Sequence, residues 1–176
     1  MKRLQFTALL ILAGLATACA IAFRVHASVA ADKSAATGSD IELPPGYRDW
    51  RVVSVAHEAG NLNDLRAILG NDPAIKAYRE GTLPFPDGTI IARLAWAYTP
   101  SEENNKVFGR EQSFVAGAAT NIQLMVKDSK KYAATGGWGF AQFTDGKPAG
   151  EPLIKTCFNC HVPAKAHDYV FTRYAP

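Results

Sequence analysis

The sequence lacks an excess of charge of either sign, internal repeats, and any long apolar run beyond its first 23 residues. The formal net charge of +3 comes from Lys2, Arg3 and Arg24, and the remaining chain has 16 Lys and Arg against 16 Asp and Glu. The only local basic pair in this near-neutral remainder is Lys130–Lys131, so we expect no nucleic-acid binding. The absence of further apolar runs excludes a polytopic membrane protein.

What is present is an ordinary globular composition. The 176 residues are 48% hydrophobic, 20% charged and 10% aromatic. These values exclude wholesale disorder and a collagen-like repeat. At this length we expect one domain, which is large enough to bury a core.

The N-terminus has the pattern of an export signal. Lys2 and Arg3 precede the apolar or small residues 6–23, and small residues follow near Ala27. We therefore predict a cleaved signal over residues 1–27, a flexible tether over 28–41 and a domain over 42–176. Two alternatives stay open, an uncleaved anchor formed by residues 6–23 and a lipid on Cys19, which ends a lipoprotein-like segment. Each of the three readings places the domain outside the cytoplasm, in the periplasm or an equivalent compartment.

Periodicity and turn residues predict a β-rich α+β fold. The strand-like segments alternate in hydrophobicity or are rich in apolar and β-branched residues. Asp72 and Pro73 predict a helix start, with Gly81 as the stop. A second helical turn is expected after Asp128. The predicted strands cover residues 51–56, 62–69, 89–98, 114–126 and 138–143.

The clearest chemical signal is Cys157-Phe158-Asn159-Cys160-His161. The C-x-x-C-H pattern is the attachment signature of a c-type haem. On a helical turn, positions i, i+3 and i+4 share one face. Cys157 and Cys160 would therefore form thioethers to one covalently bound haem, and His161 would bind its iron on the proximal side.

The same residues also fit a zinc site, a redox-active dithiol or a plain disulfide. Zinc would need two further ligands, and His57 and His167 lack a paired spacing. A thioredoxin-like dithiol would need a βαβ context, whereas this motif lies near the C-terminus. The lack of further zinc ligands and the lack of a βαβ context both favour the haem interpretation.

No residue stands out as a second axial ligand to the iron. Met125 lies in a strand-like segment where core packing is the better interpretation. His57 lies in a polar stretch, and His167 is expected in a solvated tail. We therefore expect an open, five-coordinate iron, which favours ligand binding or catalysis over simple electron transfer.

The arrangement of several motifs resembles the cytochrome P-460 family, which includes the gas-binding cytochromes c′-beta. The motifs are Leu-Pro-Pro-Gly-Tyr-Arg-Asp-Trp at 43–50, Asp-Gly-Thr-Ile-Ile at 87–91, Val-Lys-Asp-Ser at 126–129, Gly-Trp-Gly-Phe at 137–140, the C-x-x-C-H motif and Val-Phe-Thr-Arg-Tyr at 170–174. The resemblance covers residues 41–176. It implies a homodimer with a mainly antiparallel β-sheet and a few short helices, unlike the four-helix bundle of ordinary cytochromes c′.

The resemblance also implies two functions. The named enzymes of the family oxidise hydroxylamine and carry a lysine cross-linked to the porphyrin, whereas the cytochromes c′-beta bind gases. Aligned without gaps, the lysine position is Arg93 here, and a guanidinium is neither nucleophilic nor readily deprotonated. We therefore expect reversible binding of nitric oxide or carbon monoxide. The alternatives are an enzyme that oxidises hydroxylamine and passes electrons to a periplasmic acceptor, and a simple electron carrier.

Two polar side chains are further candidates for the site. Arg93 interrupts an apolar strand face, where it would donate to a bound ligand or a haem propionate, or else form a structural pair with an acidic residue or lie on a solvated strand face. Glu151 would act as a distal proton acceptor, or else as a partner of the helix dipole. Five aromatic residues are candidates for the walls of a distal pocket: Phe85, Trp96, Phe108, Phe114 and Phe140.

Overall fold

The computed structural model describes residues 40–175, which form one six-stranded sheet with three α-helices. The predicted signal over residues 1–27, its alternatives and Cys19 lie outside the described residues. Within the described part, no helix is both long and apolar enough to cross a membrane. The elements are β1 (Arg51–Glu58), β2 (Asp64–Gly70), α1 (Asp72–Glu80), β3 (Ile90–Pro100), α2 (Glu102–Phe108), β4 (Phe114–Lys127), β5 (Trp138–Thr144), β6 (Lys147–Pro148) and α3 (Glu151–His161), with 3-10 turns at Tyr47–Asp49, Ala133–Thr135 and Val162–His167.

The six strands pair in chain order, each antiparallel to the next. The predicted α+β fold with a mainly antiparallel sheet is therefore confirmed, and the protein is not a helical bundle. The long β3–β4 pair forms the centre of the sheet. The last turn has Asp145 and Gly146 in the left-handed region, which matches the twist of a two-residue hairpin loop.

Both faces of the sheet are covered by apolar side chains. The helix face, named here for the helices packed on it, contributes Ile91, Met125 and Phe140 to one core cluster with residues of α1 and α3. The opposite face contributes Ala92 and Leu94 to a second cluster. Alternation along β3 explains why neighbouring residues enter different clusters.

Several predicted details need correction. Asp72 is not the cap of α1, because the side chain of Asn71 accepts the hydrogen bond from the Ala74 amide at 3.1 Å. Helix α2 was not expected, since its polar sequence has no apolar periodicity and none of its residues is buried. The predicted strand over 62–69 lies at Asp64–Gly70. Ile41, at the predicted end of the tether, is buried against the second cluster.

Candidate haem site

Helix α3 carries the C-x-x-C-H motif and lies on the helix face of the sheet. It begins after Gly150, with Pro152 in its first turn, where a proline costs no hydrogen bond. Ile154 is its single buried residue, and it packs into the core cluster of that face together with Cys157 and Phe158. The helix is thus attached to the sheet by one narrow apolar stripe. The α-helix ends at His161, and the chain continues as a 3-10 helix through Val162–His167.

The two cysteines of the motif are free thiols near the exposed end of α3. Cys157 is half-buried and Cys160 is exposed. Burial, together with the neighbouring Cys160, raises the pKa of the Cys157 thiol. Because the helix is continuous from 151 to 161, Cys157, Cys160 and His161 share one face, as the spacing predicted.

The His161 ring is oriented by a backbone carbonyl. Its Nδ1 lies 2.7 Å from the carbonyl oxygen of Tyr169. Because a carbonyl can only accept, Nδ1 carries the proton and Nε2 keeps its lone pair. Burial lowers the pKa of the imidazole, and the bond to Tyr169 opposes this shift. A neutral ring with a free Nε2 is the form that binds a metal.

Two aromatic rings flank His161. The Phe140 ring lies 5.1 Å from the imidazole and the Phe171 ring 5.2 Å from it, measured between centroids. Phe171 is exposed, with 58% of its surface accessible, as are Leu153 of α3 at 44% and Val162 at 44%. Phe171 contacts His161, and Leu153 and Val162 lie close to the motif in sequence, so exposed apolar side chains are available to line a haem.

Of the five aromatic candidates, Phe140 is the one whose ring contacts His161. Trp96 packs against the cluster of the opposite face, and Phe85 contacts Trp138 and Tyr78 in the core. Phe108 is exposed at the end of α2, and Phe114 stacks on Tyr98 at 4.2 Å. Sequence reasoning could not separate them, because hydropathy does not say which sheet face meets α3.

Arg93 lies on the helix face, one row of residues away from Phe140. Across β3, β4 and β5, Ile91, Met125 and Phe140 lie opposite one another in one row. Arg93, Gln123 and Gln142 form the next row. Directly opposed residues share a face, so this polar row borders the apolar row that supports His161.

The Arg93 guanidinium has two side-chain partners. Nη2 donates to Asp64 at 2.6 Å, and Nη1 donates to Asn121 at 2.9 Å. Its Nε is buried and has no hydrogen-bond partner among the described residues. Burial and neighbouring Arg66 lower the pKa of the guanidinium and Asp64 opposes this, yet an arginine stays protonated. The acidic pair that the sequence left open as an alternative is formed with Asp64, and the buried Nε donor has no partner among the described residues.

The remaining candidates are Glu151, proposed as a distal proton acceptor, and the three side chains considered as a second axial ligand. The Glu151 carboxylate lies in the first turn of α3, 3.0 Å from Lys155. Met125 is buried in the core, as predicted. His57 is exposed and stacks on Tyr98 at 3.9 Å, while His167 is exposed at a separate cavity beside α1.

Sequence reasoning missed the residues that hold His161 in place. The Tyr169 carbonyl that binds the imidazole is a backbone group and carries no sequence signal. Lys127 and Asp168, which form a buried ion pair next to it, lie 41 positions apart. Lys127 lies within the motif at 126–129 and Asp168 lies just before the motif at 170–174, so the sequence contained both residues but gave no signal that they pair.

The donor set fits a metal that is already held by a porphyrin. Among residues 40–175, no group of three or more His, Cys, Asp or Glu side chains is arranged to hold a bare metal ion. One neutral imidazole beside two cysteine thiols at C-x-x-C-H spacing is the donor set expected for a c-type haem.

A family model described as Cytochrome P-460 matches residues 44–172, most of the chain. The chain belongs to the cytochrome P-460 family, which implies a haem cofactor and indicates a c-type haem protein. Among curated proteins, none gives a significant match.

Proposed function

We propose that the protein is an exported mono-haem cytochrome whose open iron binds nitric oxide, carbon monoxide or a related small ligand. The observation that carries the proposal is the combination on α3 of two free thiols with an imidazole whose Nε2 is left free by the Tyr169 carbonyl. Cys157 and Cys160 would hold one haem covalently, and His161 would be the proximal ligand. When bound, the haem supplies an iron centre that takes up small ligands and exchanges electrons.

An open sixth position is supported by the surroundings of the other soft or imidazole side chains. Met125 is packed in the core, and His57 is exposed, stacked on Tyr98 and 3.3 Å from Asn63. His167 is exposed beside α1. Met125 is thus engaged in core packing and the two histidines are exposed, whereas a simple electron carrier would need a methionine or a second histidine as its other axial ligand.

Arg93 is proposed to lie at the haem edge. Its unpaired Nε is a charge-assisted donor, which a propionate or a bound ligand would satisfy. The buried guanidinium is held by Asp64 and Asn121, so this donor is already oriented before any ligand arrives. Glu151 has a weaker claim as a distal proton acceptor, because its carboxylate pairs with Lys155.

Hydroxylamine oxidation is the second candidate function. It follows from family membership, in which some enzymes carry a lysine joined to the porphyrin. Arg93 replaces that lysine here, and a guanidinium does not form such a bond. The enzymatic alternative would pass electrons to a periplasmic acceptor. As implied by the family, we also propose that the protein is a homodimer, which sedimentation of the mature protein tests.

The absorption spectrum of the mature protein tests these functions. We expect a high-spin c-haem spectrum that shifts with nitric oxide or carbon monoxide, no reduction by hydroxylamine, and haem that stays with the denatured chain. A red-shifted reduced band with turnover of hydroxylamine would establish the enzyme instead. A six-coordinate spectrum unmoved by any of these ligands would leave an electron carrier, and absence of haem would overturn the proposal.

A further inference from the structure

The carbonyl that binds His161 lies in an unusual backbone segment. Asp168 has φ 53° and Tyr169 has φ 65°, so two consecutive non-glycine residues are in the left-handed region. Such residues are uncommon and persist only where the surrounding structure holds them. Here they turn the Tyr169 carbonyl toward His161 Nδ1, 2.7 Å away.

Asp168 is held through every polar atom of its side chain and through its carbonyl. Lys127 Nζ donates to both carboxylate oxygens at 2.8 Å. The Phe85 amide donates to Oδ2 at 2.9 Å, and the Trp138 indole Nε1 donates to the Asp168 carbonyl at 2.8 Å. Three separate parts of the chain therefore fix the residue that precedes Tyr169.

Tyr169 is held by packing against Gly136, a residue that also binds Lys127. Its ring lies against Gly136, where an added Cβ would be 2.2 Å from the ring carbon Cε2. Lys127 Nζ also donates to the Gly136 carbonyl at 3.1 Å, and it lies 4.8 Å from the centre of the Trp138 ring. Lys127 is thus the common partner of both segments that enclose the turn.

This ion pair is buried, with the side chains of Lys127 and Asp168 only 5% and 8% exposed. Burying two charges carries a large desolvation cost, so such a pair is weak grounds for a purely stabilising role. The pair instead fixes the direction of the Tyr169 carbonyl, which accepts the hydrogen bond from His161 Nδ1.

We propose that Lys127 and Asp168 are positioning residues that set the hydrogen bond from His161 Nδ1 to the Tyr169 carbonyl and, through it, the electron donation of Nε2 to the haem iron. A stronger Nδ1–H···O bond gives the imidazole more anionic character and makes it a more basic ligand, as partners of metal-bound histidines commonly do. The inference rests on the proposed ligation of haem by His161.

The test compares the haem-loaded wild type with Lys127→Met/Asp168→Asn, which removes both charges together. The measurements are the iron–histidine stretching frequency of the reduced protein by resonance Raman, and the midpoint potential. We expect the double variant to fold, with a lower stretching frequency and a higher potential, because a weaker hydrogen bond makes His161 a poorer donor. Lys127→Arg keeps the buried charge and is the second variant, for which we expect a smaller shift in the same directions.

Leu124→Ala is the matched control. Leu124 is buried in the cluster of the opposite face, so its truncation destabilises the fold without touching Tyr169. The proposal is overturned if the double variant and Lys127→Arg keep both wild-type values, or if Leu124→Ala produces the same shifts. A wild type that carries no haem would instead show that the proposed function is wrong, before any variant is compared.

Discussion

At the scale of single residues, Arg93 is the position on which our proposal of gas binding rather than hydroxylamine oxidation depends. The side chain is held by Asp64 and Asn121 on the sheet face that also carries α3. The sequence left open whether Arg93 donates to a ligand or propionate, pairs with an acidic residue or lies on a solvated face. It could not anticipate that Asp64, four positions before Ile68 on the neighbouring strand, would be that partner.

Arg93→Lys tests the position directly. A lysine keeps a charge near Asp64 but loses the fork that also reaches Asn121, so we expect about 1 kcal/mol less stability. If residue 93 lies at the haem edge, treatment with a peroxide should join the amine to the porphyrin and produce a red-shifted absorption band. Arg66→Lys is the control, because Arg66 also pairs with Asp64 at 2.7 Å and shares the face. An unchanged spectrum in Arg93→Lys, or the same shift in Arg66→Lys, contradicts the placement.

At the scale of elements, Asn71 joins the start of α1 to the start of β3. Its Oδ1 accepts from the amides of Ala74 at 3.1 Å and Ile90 at 3.0 Å, and its Nδ2 donates to the Gly88 carbonyl at 2.8 Å. A capping side chain usually satisfies only its own helix. This one also orients the long strand that carries Arg93.

Asn71→Ala should therefore cost more than the loss of an ordinary cap. We expect a decrease of about 2–3 kcal/mol in the free energy of unfolding, because three hydrogen bonds are lost at once. Asp72→Ala is the matched control at the next position. Asp72 is 88% exposed and pairs only with Arg51, so its loss should cost less than about 1 kcal/mol. Denaturant unfolding measures both, and equal losses would mean that Asp72 is the true cap.

The alternation of hydrophobicity predicted the element types well where one strand face differs from the other. Residues 89–98 and 138–143 were predicted as strands, and β3 and β5 lie there. Helix α2 was missed because its stability comes from local bonds, namely a Ser101 cap and the Asn105 side chain, which accepts from the amides of Gln112 and Ser113. These bonds leave no trace in an apolar pattern.

At the scale of the whole molecule, α3 buries fewer residues than α1, the other helix packed on the helix face. Ile154 is its one buried residue, while Leu153 beside the motif and Val162 just after it are exposed. A haem bound to Cys157 and Cys160 would cover this surface and tie the helix to the rest of the protein.

We therefore expect haem removal to loosen one region selectively. In hydrogen exchange, the haem-free protein should show faster exchange over α3 and the following 3-10 helix, with β3 and β4 unchanged, because local opening depends on buried apolar contact. The strands serve as the internal control. Uniformly faster exchange across the sheet would mean that haem supports the whole fold, and unchanged α3 protection would mean that the bare helix is already fully packed.

The sequence by itself determined the family, the sheet-rich fold class and the motif proposed to hold the haem, because C-x-x-C-H encodes its geometry within one helical turn. The tertiary structure alone decided which groups surround that motif. The Tyr169 carbonyl, the Lys127–Asp168 pair and the Arg93–Asp64 pair each join residues distant in sequence. Those contacts depend on strand register and on the left-handed turn at Asp168 and Tyr169. Neither feature can be predicted from the local hydropathy pattern.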